Sequence, residues 1–129
     1  MQVQAASVNA ADYHMVRGAL VLRVFGKLFR QSRPVVRGLD VAGVVEAVGK
    51  NVTNLRPGDE VFGVATSTWA EYAVGRESGL LPKPARLSFV EAGAIGVAAL
   101  TALQGLRNQG QVRPGQRVLA VVHRGDLVV

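Results

Sequence analysis

The chain has 129 residues, 49% of them hydrophobic and 19% charged, which is the size and composition of one folded domain. It has no cysteine, so disulfides, thiolate metal sites and a cysteine nucleophile are excluded, and its formal net charge is +6. No apolar run approaches the ~20 residues of a membrane-spanning helix, and the N-terminus lacks the layout of a secretion signal. These features predict a cytoplasmic location.

A basic segment occupies residues 17–37. No acidic residue lies between Asp12 and Asp40, whereas six basic residues do: Arg17, Arg23, Lys27, Arg30, Arg33 and Arg37. Clustered basic residues attract nucleic acid, and LVLRVFGKLFR (20–30) has the spacing of a basic amphipathic helix on a membrane surface. Because the segment has few aromatic residues and no nucleic-acid motif, we interpret it as a solvated helix or loop, with no nucleic-acid and no membrane partner. A basic binding module over 17–37 remains an alternative function.

Short strands joined by turns are predicted in the middle of the chain. DVAGVVEAVG (40–49) is rich in valine and bounded by glycine, which is typical of a largely buried strand. Pro57-Gly58 predicts a type II turn, followed by a strand that begins near Glu60. WAEYAV (69–74) alternates as a half-buried strand does.

The periodicity then changes from strand to helix. Ser88 and Glu91 have the spacing of a capping box, and the residues after them predict one helix over 89–107. The glycines inside this helix are interpreted as sites of close packing, since they lower helix propensity. RVLAVV (117–122) predicts a further strand.

Four stretches together resemble the catalytic domain of the medium-chain dehydrogenases/reductases. They are ASVNAADYHMVRG (6–18), GLDVAGVVEAVGKNVTNLRPGDEVFG (38–63), WAEYAV (69–74) and LSFVEAGAIGVAALTALQGL (87–106). The branch they resemble is that of the zinc-independent quinone oxidoreductases and the related NAD(P)-dependent alcohol dehydrogenases. The resemblance implies a mainly β fold with one or two helices: a partial GroES-like β-barrel, ending in the first strand of a missing Rossmann domain.

The resemblance also implies where the chain is incomplete. Residues 1–115 correspond to the GroES-like domain without its opening hairpin, which would leave an unpaired strand edge and favour association or a homo-oligomer. Residues 116–129 correspond to the first strand of the nucleotide-binding domain. Where the family has a glycine-rich turn that brings backbone N–H groups to the pyrophosphate, this chain reads His123-Arg124-Gly125-Asp126, and a short hairpin is expected. We therefore expect a truncated protein that alone binds no cofactor and is inactive.

A zinc site is not expected. The sequence has two histidines and no cysteine, and Gly38-Leu39-Asp40 stands where zinc-dependent relatives carry G-H-E. Without a Lewis acid, the resemblance implies reduction of quinones or of activated alkenes and carbonyls, whose own structure delocalises the hydride charge, with NADPH or NADH as cofactor. The alternative is a non-catalytic remnant that binds no cofactor.

Two residues are candidates for the nicotinamide end of the cofactor. Asn9, in SVNAAD, matches the family asparagine whose amide can hydrogen-bond a carboxamide or a substrate carbonyl. Thr101 matches a threonine on the helix that faces the cofactor. The structural alternatives are an asparagine that satisfies a turn and a helical threonine that bonds back to a carbonyl.

Two neighbouring residues are the catalytic candidates. Tyr13 and His14 lie in the segment that lines the family's substrate cleft, and either could donate a proton to a reduced quinone oxygen. The alternative is a partly exposed structural pair. Asp40, at the family's acidic position, is expected to accept backbone hydrogen bonds in the cleft wall.

Overall fold

The structure, a computed structural model, describes residues 1–13, 16, 36–119, 122–123 and 126–127. Its main element is an antiparallel sheet of four strands in the order β1-β2-β3-β4. The strands are β1 (Gln2–Ala5), β2 (Asp40–Val44), β3 (Glu60–Val64) and β4 (Leu80–Pro82), the last preceded by a 3-10 turn at Glu77–Gly79. The prediction of a mainly β fold with few helices is confirmed.

The turn between β2 and β3 forms as the sequence predicts. Gly58 has a φ of +95°, and the Asp59 N–H donates to the Arg56 carbonyl at 3.1 Å, which is the pattern of a type II turn with glycine in its third position. β3 begins at Glu60, as expected. The strand predicted over 40–49 is shorter, because the chain leaves the ladder at Val45, which bonds to the residues of this turn.

The stretch predicted as a strand over 69–74 does not form one. It makes two isolated bridges instead, Tyr72 with Gln2 and Val74 with Thr66. The Val3 N–H also donates to the Glu71 carbonyl at 2.8 Å, and the Ala73 N–H to the Met1 carbonyl at 3.1 Å. These bonds cover the outer side of β1 over its first residues, so this edge of the sheet is partly paired within the described part of the chain.

The core lies between the sheet and the loops that cross it. Its buried members are small aliphatic residues, Val41, Val45, Leu55, Val61, Ala65 and Leu80. The largest completely buried apolar side chains are valines of the two central strands. Since burial of each such side chain stabilises by about 1.5–3 kcal/mol, the two central strands are a main source of hydrophobic stabilisation.

The helix predicted over 89–107 is broken in two. α1 (Phe89–Gly93) begins at the predicted capping box, with Ser88 and Glu91 bonded reciprocally, and α2 (Gly96–Gln104) follows and passes into a π-helical turn at Gly105–Gln109. In a continuous helix the Val97 N–H would donate to the Gly93 carbonyl, but here it donates to the Asp40 carboxylate at 2.7 Å. The prediction of one continuous helix is therefore wrong, because a tertiary acceptor starts a second one.

Of the strand predicted over 117–122, residue 122 lies in a strand and residues 117–119 do not. β5 (Val122–His123) pairs antiparallel with β6 (Asp126–Leu127), which is the short hairpin expected there, while residues 117–119 lie outside any strand. His14 and residues 17–35 of the basic segment lie outside the described residues. No helix in the described part of the chain is long and apolar enough to cross a membrane.

Candidate functional site

A buried carboxylate organises the polar site. Asp40, the first residue of β2, is 0% exposed. Its Oδ1 accepts from the Val97 N–H at 2.7 Å, and its Oδ2 accepts from Ser7 Oγ at 2.8 Å and from Asn9 Nδ2 at 3.0 Å. A carboxylate taken out of water needs such donors, because an uncompensated buried charge costs several kcal/mol. The expected backbone bond to Asp40 exists, and two side-chain donors add to it.

Both the side chain and the backbone of Asn9 are hydrogen-bonded. Its Nδ2 donates to Ser7 Oγ at 3.0 Å and to Asp40 Oδ2 at 3.0 Å. Its backbone N–H donates to Asp12 Oδ2 at 2.9 Å, and its carbonyl accepts from the Tyr13 N–H at 3.1 Å, so Asn9 opens the helical turn at residues 10–13. The side chain, which would cap this turn in an isolated peptide, faces the buried carboxylate instead.

Close backbone approaches bring these segments together. A Cβ on Gly96 would lie 2.5 Å from Asp40 Oδ1, so only glycine lets the start of α2 approach the carboxylate this closely. A Cβ on Gly38, whose φ is +100°, would clash with Thr68 Oγ1. The Trp69 Nε1–H donates to the Ser7 carbonyl at 3.0 Å and fixes the strand end that carries Asn9 two residues later. The expectation that glycine in the helical stretch permits close packing is confirmed at Gly96.

Two buried polar atoms near these segments lack a partner. Asp12 Oδ1 and Thr68 Oγ1 are buried and accept or donate no hydrogen bond among the described residues. Both residues are 0% exposed. Such atoms are rare in folded proteins because each costs about 1–3 kcal/mol.

The other candidate residues are less enclosed. Tyr13 is 50% exposed at the end of the helical turn, and Thr101 is exposed one turn along α2 from Val97, on the same side of the helix. The catalytic role of Tyr13 and the cofactor contact of Thr101 stay predictions. His14 lies outside the described residues, so its proposed role also stays a prediction.

A carboxylate lies at the start of both α1 and α2. The start of α1 is capped by Ser88 and the Glu91 carboxylate, and the start of α2 by the Asp40 carboxylate. Since phosphate sites at helix termini depend on free N–H groups and a positive dipole end, a carboxylate already bound there opposes a second anion.

Metal binding finds no support in the described geometry. Among the described residues there is no group of three or more His, Asp or Glu side chains that could hold a metal ion. Leu39 occupies the position where zinc-dependent relatives carry a histidine ligand, so the expectation of a zinc-free site continues to rest on the sequence.

Comparison with known proteins identifies the fold. Residues 1–85 match the model of the alcohol dehydrogenase GroES-like domain. The chain belongs to this family. It is similar to the quinone oxidoreductase of Sus scrofa, with 35% identity over 121 residues, which are 92% of this chain and 35% of the relative.

Solved structures of related proteins superpose on this chain. The quinone oxidoreductase of Coxiella burnetii superposes with a TM-score of 0.74 at 34% identity, over 88% of this chain and 36% of that one. The CurK enoyl reductase superposes with a TM-score of 0.71 at 27% identity, over 89% and 35%. The chain thus spans about a third of the length of these relatives, and what it shares with them is the GroES-like domain.

Sequence reasoning missed two members of the site. Ser7 is two residues before Asn9, and alternate residues of an extended chain share a face, so this pair could have been recognised. The Val97 N–H had no sequence signal, because its role depends on where α2 begins. That point is decided by contact with Asp40.

Proposed function

We propose that this chain is the GroES-like catalytic part of a zinc-independent, NADPH- or NADH-dependent reductase of quinones or activated alkenes and carbonyls. Membership of the family and the names of its relatives, quinone oxidoreductases and an enoyl reductase, support this function. The observation that carries it is the cluster of Ser7, Asn9 and the buried Asp40, whose hydrogen bonds hold a side-chain amide in place just after β1.

When bound, a reduced nicotinamide would supply the hydride. In this proposal Asn9 and Thr101 orient the nicotinamide end, Asp40 holds Asn9 in place, and Tyr13 or His14 gives a proton to the substrate oxygen. Protonation by a hydroxyl or imidazole at the oxygen that gains negative charge typically contributes 10²–10⁴-fold to such reactions. No zinc takes part, so charge on the substrate oxygen is met by proton transfer and by delocalisation in the substrate.

We further propose that residues 1–115 form the GroES-like domain and that 116–129 correspond to the beginning of a nucleotide-binding unit. The chain by itself then binds no dinucleotide measurably. The starts of α1 and α2 support this, because a carboxylate already lies at each of them and opposes a second anion. A non-catalytic remnant is the second candidate function, and the same observation favours it.

The test compares this chain with a version extended by a family nucleotide-binding domain. Fluorescence titration with NADPH should show no binding by the chain up to millimolar cofactor, where the binding free energy is only about 4 kcal/mol, and should show binding by the extended version. The extended version should reduce a quinone, and Asn9→Ala should slow it, with Asn51→Ala as the matched control at an exposed asparagine. Micromolar binding of NADPH by the chain itself would refute the proposal that the chain alone binds no dinucleotide. An extended version that binds NADPH without reducing quinones or enones would refute the proposed reductase activity.

A further inference from the structure

The Asp40 carboxylate is the acceptor in each of its hydrogen bonds, and this fixes the direction of the bonds between its neighbours. Ser7 Oγ has a single hydrogen and donates it to Asp40 Oδ2, so Ser7 can only accept from Asn9. An ionised carboxylate has no hydrogen to give, so Asn9 can approach it only with its NH₂ group. The Nδ2 group of Asn9 therefore faces this pair of acceptors, Ser7 Oγ and Asp40 Oδ2, and the amide oxygen points away from them.

The opposite end of the amide is left open. No described residue donates to Asn9 Oδ1, and this atom is not among the buried polar atoms without a partner, which in the described part of the chain are only Asp12 Oδ1 and Thr68 Oγ1. Asn9 is half-buried, so its accessible polar atom is a carbonyl oxygen. Away from Asp40, Asn9 thus presents its amide oxygen, which is a hydrogen-bond acceptor.

We propose that Asp40 is a positioning residue that fixes the polarity of the Asn9 amide, so that this site selects ligand groups that donate a hydrogen bond. A carboxamide NH₂ or a hydroxyl fits Asn9 Oδ1, whereas a carbonyl oxygen would face a like acceptor. Two partners for Asn9 are possible from the sequence, a carboxamide and a substrate carbonyl. With the amide oriented in this way, the carboxamide can bond to Asn9 and the substrate carbonyl is excluded. The ligand part of this inference rests on the proposed function; the polarity of Asn9 does not.

The geometry also predicts what reverses the polarity. In Asp40→Asn the oxygen must stay on the Val97 N–H, which can only donate, so the new NH₂ group takes the place of Oδ2. It would then face the NH₂ group of Asn9, and Asn9 relieves this by rotating its own oxygen inward. The variant should therefore expose the Asn9 NH₂ group with almost no change in volume.

Side-chain amide hydrogen exchange on the whole chain, measured by NMR, tests the polarity. In the wild type the Asn9 NH₂ protons should exchange at least about 10-fold more slowly than those of Asn51, an exposed asparagine in the same spectrum. Asp40→Asn should remove this protection, and Asn9→Asp combined with Asp40→Asn should recover much of the stability that either single change loses, because the donor and acceptor are then exchanged. Asn9 protons that exchange as fast as those of Asn51 in the folded wild type would overturn the proposal.

Two small probes test the ligand class on the same chain. Nicotinamide carries a carboxamide NH₂, and 3-acetylpyridine replaces it with a methyl ketone that can only accept. At high millimolar concentration, nicotinamide should shift the Asn9 resonances more than 3-acetylpyridine does, and Asp40→Asn should reverse the order. Equal shifts by both probes, or none by either, would overturn the ligand assignment while the exchange result still decides the polarity. Hydride transfer by the extended version judges the proposed function separately.

Discussion

The sheet and the C-terminal segment (residues 96–119) both contain many apolar residues, but these are buried in the sheet and exposed in the segment. Val41 and Val61 of the central strands are 0% exposed, whereas Leu100 and Leu103 of α2 are each 50% exposed. Apart from Gly96, Val97 and Gly105, every residue of the C-terminal segment is exposed. The sheet is therefore held by its own hydrophobic core, and the segment is attached mainly at its first turn through Asp40.

Asp40 holds the C-terminal segment to the sheet through hydrogen bonds, whereas apolar packing holds the sheet itself together. Asp40 ties together β2, the strand end at Ser7 and Asn9, and the start of α2. A polar contact of this kind is directional and localised, so a single change should separate the two regions.

The largest effect is expected from Asp40→Ala. It leaves the Val97 N–H and the Ser7 and Asn9 donors without their acceptor in a buried place, and should lower the free energy of unfolding by about 3 kcal/mol or more. Urea unfolding measures this, and Glu46→Ala, at an exposed acidic residue of the same strand's exit, should change it by less than about 0.5 kcal/mol. Equal stability of the two variants would mean that Asp40 does not attach the segment.

A smaller loss is expected from Val61→Ala in the core. Removing a fully buried part of β3 leaves a cavity and should cost about 2–3 kcal/mol, whereas Leu103→Ala, which deletes more atoms from an exposed face, should cost under about 0.5 kcal/mol. The same urea titration compares them. A Leu103→Ala loss as large as that of Val61→Ala would show that the exposed face of α2 is packed against something in solution.

Gly96→Ala tests the close approach at the junction. Alanine favours a helix over glycine by about 1 kcal/mol, but its Cβ would lie 2.5 Å from Asp40 Oδ1, and such overpacking costs about 1–3 kcal/mol. We expect a net loss of about 1 kcal/mol by thermal or urea unfolding. Gly115→Ala is no suitable control because its φ is +86°, so Gly49→Ala, with open space around it, serves instead. A stabilised Gly96→Ala protein would contradict the contact.

The smallest effect concerns the cap of α1. The Ser88 backbone N–H and then its hydroxyl donate to Glu91 and hold the pKa of this carboxyl below its ordinary value of 4.5. A group with a lowered folded pKa contributes stability above its unfolded pKa and loses it as the pH falls through the folded pKa. The difference in melting temperature between wild type and Glu91→Gln should therefore shrink as the pH is lowered from 7 to 3, and Ser88→Ala should cost about 1 kcal/mol at pH 7. A difference that is constant with pH would contradict the bonded carboxylate.

Local signals in the sequence predicted the elements whose cause is local. The type II turn at Pro57-Gly58 and the capping box at Ser88 and Glu91 form as expected, because a positive φ and a reciprocal cap need only neighbouring residues. The four quoted stretches were also enough to identify the family. Asn9 and Asp40 were singled out from these stretches, but not as one cluster.

The mainly β fold, the turn at Pro57-Gly58, the start of the first helix and the absence of cysteine ligands follow from the amino-acid sequence alone. Tertiary contacts were needed to show that the long helix breaks before Gly96, that residues 69–74 make isolated bridges without forming a strand, and that Asn9 faces Asp40. Each of these depends on groups far apart in the chain: the Asp40 carboxylate and the Val97 N–H are 57 residues apart, and Asn9 and Asp40 are 31 apart. Periodicity and local propensity carry no information about such pairs, since a buried charge finds its donors only when the segments are packed together.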